Sequence, residues 1–269
     1  SDLTQFNFLF EWLESIIRYV SQLSTRPLVF GQPSLWVLVF LLMFLALVYD
    51  YRKNLKKIPI IVLFVLALFL GTKHPLENEI TVLDMEQGRS IFLRDMTGKT
   101  ILLDVGEKSE VEKKEAWQEK VTTSNAKRSL IPYLKSRGVN RLDKLVLTHT
   151  DTDHMGDMLD LAKHFSIREI YVSKGSMTQA DFVDKLKKMK AKVHVVEVGD
   201  RLPIFDSALE VLYPFGQGDG GNDDSIVLYG EFFQTKFLFT GDLEAPGEGQ
   251  MVTAYPDLRV DVLKAGHHG

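Results

Sequence analysis

The sequence predicts an α/β fold in which two β-sheets are sandwiched between helices, preceded by an all-α membrane segment with two apolar helices. Three observations predict it. The long charge-free apolar runs are concentrated in residues 1–71. From residue 80 onward, three short β-branched and leucine-rich runs follow one another with turn residues between them, the pattern of consecutive strands. Further strand-like runs then alternate with stretches of helical period, and that order favours stacked layers of sheet and helix.

In the membrane segment, residues 3–23 place Leu3, Phe6, Phe10, Leu13, Ile17 and Val20 three and four apart, the period of an amphipathic helix. Its broad apolar face suits a membrane interface or a packed core. Residues 35–49 and 58–71 carry no charge. Each is shorter than the roughly 20 residues of a spanning helix. With their flanks they reach it, so transmembrane helices are expected over about 28–49 and 57–72. Arg52, Lys53, Lys56 and Lys57 form a basic loop between them. By the positive-inside rule that loop is cytoplasmic, and everything after Gly71 lies outside the cell. Residues 72–78, with Pro75, form the boundary, so the domains are expected at 1–71 and 78–269.

Composition narrows the chemistry. The absence of cysteine excludes a disulfide framework and a thiolate metal site. Net charge is −4, and residues 1–71 hold six Lys and Arg against four Asp and Glu, or +2, which leaves −6 for the rest. A polyanion would have to be held by local patches and bound metal rather than by a basic surface.

In the second domain, strands are expected at 80–84, 90–93 and 100–104, with turns at Gln87 and Gly88 and at Thr97 and Gly98. Residues 107–125 are charged and aperiodic, an exposed loop for which a lid is the competing reading. A helix runs from Ser124 to Arg137 and stops at Gly138. After a strand at 145–148 and a helix to Phe165 come a strand at 167–172 and a helix at 178–190. Lys185, Lys187, Lys188 and Lys190 form the solvated face of that helix. Strands follow at 193–198, 209–212 and 226–233. His74, His164 and His194 lie outside every motif and are read as structural or surface residues.

Residues 145–157, LVLTHTDTDHMGD, are the centre of the domain. His149, Asp151, Asp153 and His154 crowd the turn after a strand, where α/β proteins place their ligand sites. Two carboxylates and two imidazoles on a buried turn would cost several kcal/mol or so if left unpaired. A divalent cation removes that cost.

This turn resembles the HxHxDH motif of the metallo-β-lactamase superfamily, with Asp151 in place of the second histidine. FTGD (residues 239–242) and KAGHHG (264–269) match two further motifs of that superfamily, in order. The resemblance implies an αββα sandwich and two divalent metals, with Asp242 bridging them. It assigns His149, Asp151 and Asp242 to one metal. Asp153, His154, Asp242 and one of His267 and His268 go to the other; the second of these histidines sits in the outer shell or meets the phosphate. Asp153 and His268 are the candidate catalytic residues. The place of a third histidine falls in the loop GQGDGGNDDS, where Asn222 and Asp223 are weak substitutes. Carboxylate at position 151 makes the first site oxygen-rich, which favours manganese, with zinc or magnesium as alternatives. Two cations about 3.5–4 Å apart can hold a hydroxide and stabilise the attacking and leaving oxygens at phosphorus.

The strings LDMEQGRS, LLDVG, SLIPYLKSRGV, LDKLVLTHTDTDHMGD, NDDSIVL, FLFTGD and VLKAGHHG together resemble the C-terminal part of the ComEC family of DNA-uptake channel proteins. Glu86 and Arg89 stand where that family shows a GQGDS-like turn. The family continues past GHHG and extends upstream, so the chain is read as a fragment at both ends. The resemblance implies a metal-dependent phosphodiesterase, or nuclease, in a multi-pass cell-membrane protein of natural transformation. Its metallo-β-lactamase-like domain would lie on the extracellular side and degrade the DNA strand that is not transported. Implied partners are DNA (single-stranded or one strand of a duplex), the membrane, other DNA-uptake proteins and a second copy in a homo-oligomer. The alternatives are a hydrolase of a cell-surface or small phosphoester and a non-catalytic module of the channel.

Overall fold

The computed structural model describes residues 11, 14, 15, 18, 19, 29, 31, 32, 35–50, 64, 75, 77–84, 89–106, 126–150 and 154–266. Six strands, β1 (Glu79–Asp84), β2 (Arg89–Arg94), β3 (Thr100–Leu103), β4 (Arg141–Val146), β5 (Ser166–Val172) and β6 (Lys192–Val195), form one sheet in chain order. Its β1–β3 part is antiparallel, and β3 to β6 run parallel. The second sheet contains β7 (Arg201–Ile204), β8 (Ser207–Tyr213), β9 (Val227–Phe232), β10 (Thr235–Phe239) and β11 (Val262–Lys264), in the spatial order β11-β10-β9-β8-β7. Only its β10–β11 pair is parallel.

The period of two along each strand decides the layers. Ile91, Leu93, Ile101 and Leu103 turn inward to meet Leu209, Val211, Leu228 and Phe239 of the second sheet. The intervening Phe92 and Leu102 turn outward, under α2 (Ile131–Ser136), α3 (His154–His164) and α4 (Ala180–Lys188). On the far side Leu212, Tyr213 and Val227 pack on Leu243 and on Met251 of α5 (Ala245–Ala254). Each fully buried side chain of this size contributes about 1.5–3 kcal/mol. The expected αββα sandwich is therefore present.

In the N-terminal part, α1 (Leu35–Asp50) forms on the first apolar run and has 16 residues. Among the described residues, no helix is long and apolar enough to cross a membrane. Phe44 of α1 stacks on Phe64 of the second run, with ring centroids 4.4 Å apart. Positions 11, 14, 15, 18 and 19 are helical, in keeping with the helix expected over 3–23. The rest of that helix, the basic loop, the span at 57–72 apart from Phe64, the turn at Gln87 and Gly88, and the loop at 107–125 lie outside the described residues.

Three local expectations change. The helix expected from Ser124 begins as a π-helical turn, Ala126–Leu130, and becomes α-helical only at Ile131. Pro132 lies in that second segment; it lacks an N–H and its ring crowds the preceding turn, which disrupts a continuous α-helix. The strand expected to reach Phe233 stops at Phe232, because Phe233 and Gln234 both take positive φ, 55° and 63°, and turn the chain into β10. Strand β7 and helix α5 have no counterpart in the sequence reading.

Candidate metal centre

Because β3, β4 and β5 run parallel, their carboxyl ends share one edge, the edge where such sheets bind ligands. Asp104 leaves β3 in the left-handed conformation, φ 56°, and is fixed there. Its N–H donates to the Val146 carbonyl at 2.9 Å, and its own carbonyl accepts Ser90 Oγ at 2.6 Å. Its carboxylate accepts the Thr148 N–H and the Thr148 hydroxyl, each at 2.8 Å. A hydroxyl has one hydrogen. With it committed to Asp104, the 2.9 Å contact between Thr148 Oγ1 and His149 Nδ1 makes Nδ1 the donor. In the neutral ring, Nε2 of the buried His149 then carries the lone pair, the form in which imidazole binds metals.

The second sheet supplies the opposing group. Asp242 follows β10, and its N–H donates to Ser225 Oγ at 3.1 Å. Its Oδ2 lies 3.7 Å from His149 Nε2. Its Oδ1 accepts Lys264 Nζ at 3.1 Å, and Lys264 also donates to the Gly241 carbonyl at 2.5 Å. Two glycines permit this approach. Gly241 has φ 56°, and a Cβ on it would meet Thr148 Oγ1 at 2.8 Å; a Cβ on Gly266 would meet the Leu243 carbonyl at 2.6 Å. The two sheet edges are tied by Ile226 N–H donating to the Thr148 carbonyl at 2.9 Å.

His149 Nε2 and Asp242 Oδ2 face each other across this edge, with Lys264 beside the carboxylate. The donor set, one nitrogen and one carboxylate oxygen held by fixed neighbours, fits a divalent metal.

Of the expected ligands, the structure brings together His149 and Asp242. His154 opens α3, and its side chain lies outside the description, as do Asp151, Asp153, His267 and His268. Among the described residues no three His, Asp or Glu side chains form a metal-holding group. The weak substitutes for a third histidine make contacts at the start of α5. Asn222 Nδ2 donates to Glu244 Oε1 at 3.0 Å, and Asp223 Oδ1 accepts the Gly247 N–H at 3.3 Å. Both hold the start of α5, whose N-terminus favours a carboxylate. Asp224, next along, is buried, and burial raises its pKa. It accepts Ser173 Oγ at 2.8 Å and the Gly220 N–H at 3.2 Å. Gly220 in turn accepts Thr150 N–H and Thr150 Oγ1, at 2.7 and 2.8 Å, so the glycine-rich loop is fastened to the central motif.

The sequence reading missed Asp104, Thr148, Ser225 and Lys264 as positioning residues. Their signal was present for three of them: an aspartate closing the strand LLDVG, a serine closing NDDS and a lysine opening KAGHHG. His164 bonds the Asp160 carbonyl of its own helix at 2.9 Å, and His194 stacks on Tyr171 with centroids 4.9 Å apart. Both serve the framework.

An αββα sandwich that joins a histidine of one sheet to an aspartate of the other at a shared edge is the frame of a metal-site hydrolase. The chain belongs to the metallo-β-lactamase superfamily, whose family model matches residues 83–269 and whose members are generally metal-dependent hydrolases. It is 29% identical over 280 residues to ComE operon protein 3 of Bacillus subtilis (strain 168), covering 98% of this chain and 35% of that protein. It is 32% identical over 197 residues to competence protein ComA of Neisseria gonorrhoeae, covering 72% of this chain and 24% of that protein. These competence relatives agree with the resemblance to the ComEC family, and the chain spans little more than a third of their length at most. Among solved structures, the subclass B3 metallo-β-lactamase BJP-1 of Bradyrhizobium japonicum aligns at 14% identity over 72% of this chain and 76% of its own, with a TM-score of 0.45.

Proposed function

We propose that this chain contains the metal-dependent phosphodiesterase of a membrane DNA-uptake channel, acting on the strand that does not enter. The observation that carries the reading is the 3.7 Å approach of His149 Nε2 to Asp242 Oδ2. The competence names of the relatives support the DNA context. His149, Asp151 and Asp242 would hold one cation, and Asp153, His154, Asp242 and one of His267 and His268 the other. When bound, such ions supply a hydroxide near neutral pH and positive charge at the phosphoryl oxygens. The chain's own residues prepare the site. Asp104 and Thr148 keep the imidazole proton of His149 on Nδ1. Lys264 takes one oxygen of Asp242 and leaves the other towards His149. Asp153 and His268 are assigned to proton transfer and phosphate contact by their places in the motifs. Manganese is the preferred metal, from the carboxylate at position 151.

The domain at 78–269 is placed outside the cell, anchored by segment 1–71, with a first span that the structure narrows from the expected 28–49 to the region of α1 (Leu35–Asp50) and a second expected at about 57–72, from the basic residues between them. A protease added to intact protoplasts should cut within residues 107–125; protection until the membrane is opened would invert this topology. The activity test compares single-stranded DNA with a phosphocholine ester, using the full chain and manganese. Chelator-sensitive cleavage of the DNA supports the reading. Cleavage of the ester alone favours a small-phosphoester hydrolase, and metal binding without hydrolysis of either favours a non-catalytic channel module.

A further inference from the structure

The glycine-rich loop that Thr150 holds begins at an aromatic side chain with no part in the metal centre. Phe215 is 45% exposed and stands where three hollows meet. One, of about 460 Å³, runs towards Asp219 and Asp223; one, of about 470 Å³, runs along α5 past Pro246; the third, of about 220 Å³, runs towards Lys174. The ring is braced from behind. Tyr213 meets it edge-on at 5.2 Å and Tyr255 lies beside it at 6.1 Å. Both tyrosine hydroxyls are engaged, donating to the Asp223 and Leu212 carbonyls at 2.9 and 3.2 Å. The loop beyond it is fixed through buried Asp224, Gly220 and Thr150. Phe215 is therefore an exposed flat ring on a rigid mount, on the loop that abuts the central motif.

The rim selects the ligand. Asp219 and Asp223 line the hollow of about 460 Å³ and offer hydrogen-bond acceptors and negative charge. The lysine at the opposite side, Lys174, is paired with Glu197 at 2.5 Å. A phosphate is repelled from such a place. A neutral aromatic ring that carries N–H donors fits it, stacked on the Phe215 face.

We propose that Phe215 is a stacking platform for a nucleobase of a single-stranded nucleic acid whose backbone passes the metal centre. This rests on the phosphodiesterase reading above. The platform confers a preference for strands with bases over a bare sugar-phosphate chain, and favours bases with exocyclic amines.

The test uses the full chain, wild type and with Phe215→Ala and Phe215→Trp. Binding of oligodeoxycytidine and of an abasic chain of equal length is read by fluorescence anisotropy in chelator; cleavage of both is read in manganese. The wild type should bind oligodeoxycytidine more tightly than the abasic chain. Phe215→Ala should weaken oligodeoxycytidine about tenfold, the effect of losing one stacked base, and raise its KM without lowering kcat. It should leave the abasic chain unchanged, and Phe215→Trp should retain the preference. Equal effects of Phe215→Ala on both chains, or none on either, overturn the platform. So does quenching of the Phe215→Trp fluorescence by choline but not by deoxycytidine monophosphate, which would make the hollow a cation cage. Base-dependent binding without cleavage by the wild type would keep the platform and reject the nuclease; cleavage indifferent to Phe215 would do the reverse.

Discussion

Two clusters of charge are set into opposite kinds of surroundings in this domain. On β1, Glu79 accepts Arg94 Nη2 at 3.0 Å, Arg137 Nη2 at 2.8 Å and the Tyr133 hydroxyl. Arg94 also donates to the Arg137 carbonyl at 2.6 Å. Burial works against the Glu79 carboxylate, yet the hydrogen bonds from Arg137 and Tyr133 and the charges of Arg137 and Arg94 hold its pKa below the usual glutamate range. These contacts set opposite charges against one another, although Arg94 Nε, also buried, has no hydrogen-bond partner. At the shared sheet edge, by contrast, His149 and Asp242 turn an imidazole lone pair and a carboxylate oxygen towards each other. The first cluster clamps β1, β2 and α2 together through opposite charges. The second sets an imidazole nitrogen and a carboxylate oxygen at one sheet edge, the arrangement the proposed metal site requires.

Breaking the closed cluster should have the largest effect on stability and none on metal. Glu79→Ala leaves Arg94 buried without its carboxylate and should cost about 3–5 kcal/mol in urea unfolding, with metal equivalents unchanged. The pH dependence has a definite sign. Because the folded pKa of Glu79 is lowered from 4.5, its contribution is present above that value and is lost as pH falls through the folded pKa. The stability gap between wild type and Glu79→Gln should therefore close in acid and be full at neutral pH. A gap that widened in acid would contradict the assignment.

The open cluster can be perturbed without touching a metal ligand. Asp104→Asn suits the left-handed backbone that Asp104 adopts. Its amide would donate to Thr148 Oγ1, freeing the hydroxyl hydrogen for His149 Nδ1 and moving the imidazole proton to Nε2. Metal affinity by calorimetry should fall about 10- to 100-fold while the melting temperature in chelator changes little. Unchanged affinity would show that Asp104 braces the backbone alone. Asp151→His should act more gently, shifting preference from manganese towards zinc. Equal preference in both proteins would mean that position 151 does not set it.

The contrast between the clusters also explains what could be read beforehand. The αββα order was legible because Ile91, Phe92 and Leu93, and Ile101, Leu102 and Leu103, are apolar on both faces, which marks strands covered on both sides. The motifs announced His149 and Asp242 through clustered ligand types. Helix α5 escaped because APGEGQMVTA carries a proline and two glycines and little apolar period. The tight turn between β9 and β10 escaped because Phe233 and Gln234 take backbone angles normally supplied by Asn or Gly. The relay through Asp104 and Thr148 joins residues far apart in the chain, and no spacing rule reports a tertiary hydrogen bond. Asn222 and Asp223, weak candidates by motif position, also contact the start of α5, a helix the sequence did not announce.

The central claim is that Asp242 and His149 serve a common pair of cations. Metal content of the purified full chain, by elemental analysis after dialysis against manganese, tests it most directly when wild type, Asp242→Asn and Asp151→Ala are compared. Asparagine at 242 keeps an oxygen for Lys264 and removes the charge. Following the two-metal scheme, about two equivalents are predicted for the wild type, close to none for Asp242→Asn and about one for Asp151→Ala, with DNA hydrolysis abolished in Asp242→Asn. Two equivalents and normal turnover in Asp242→Asn would contradict the account.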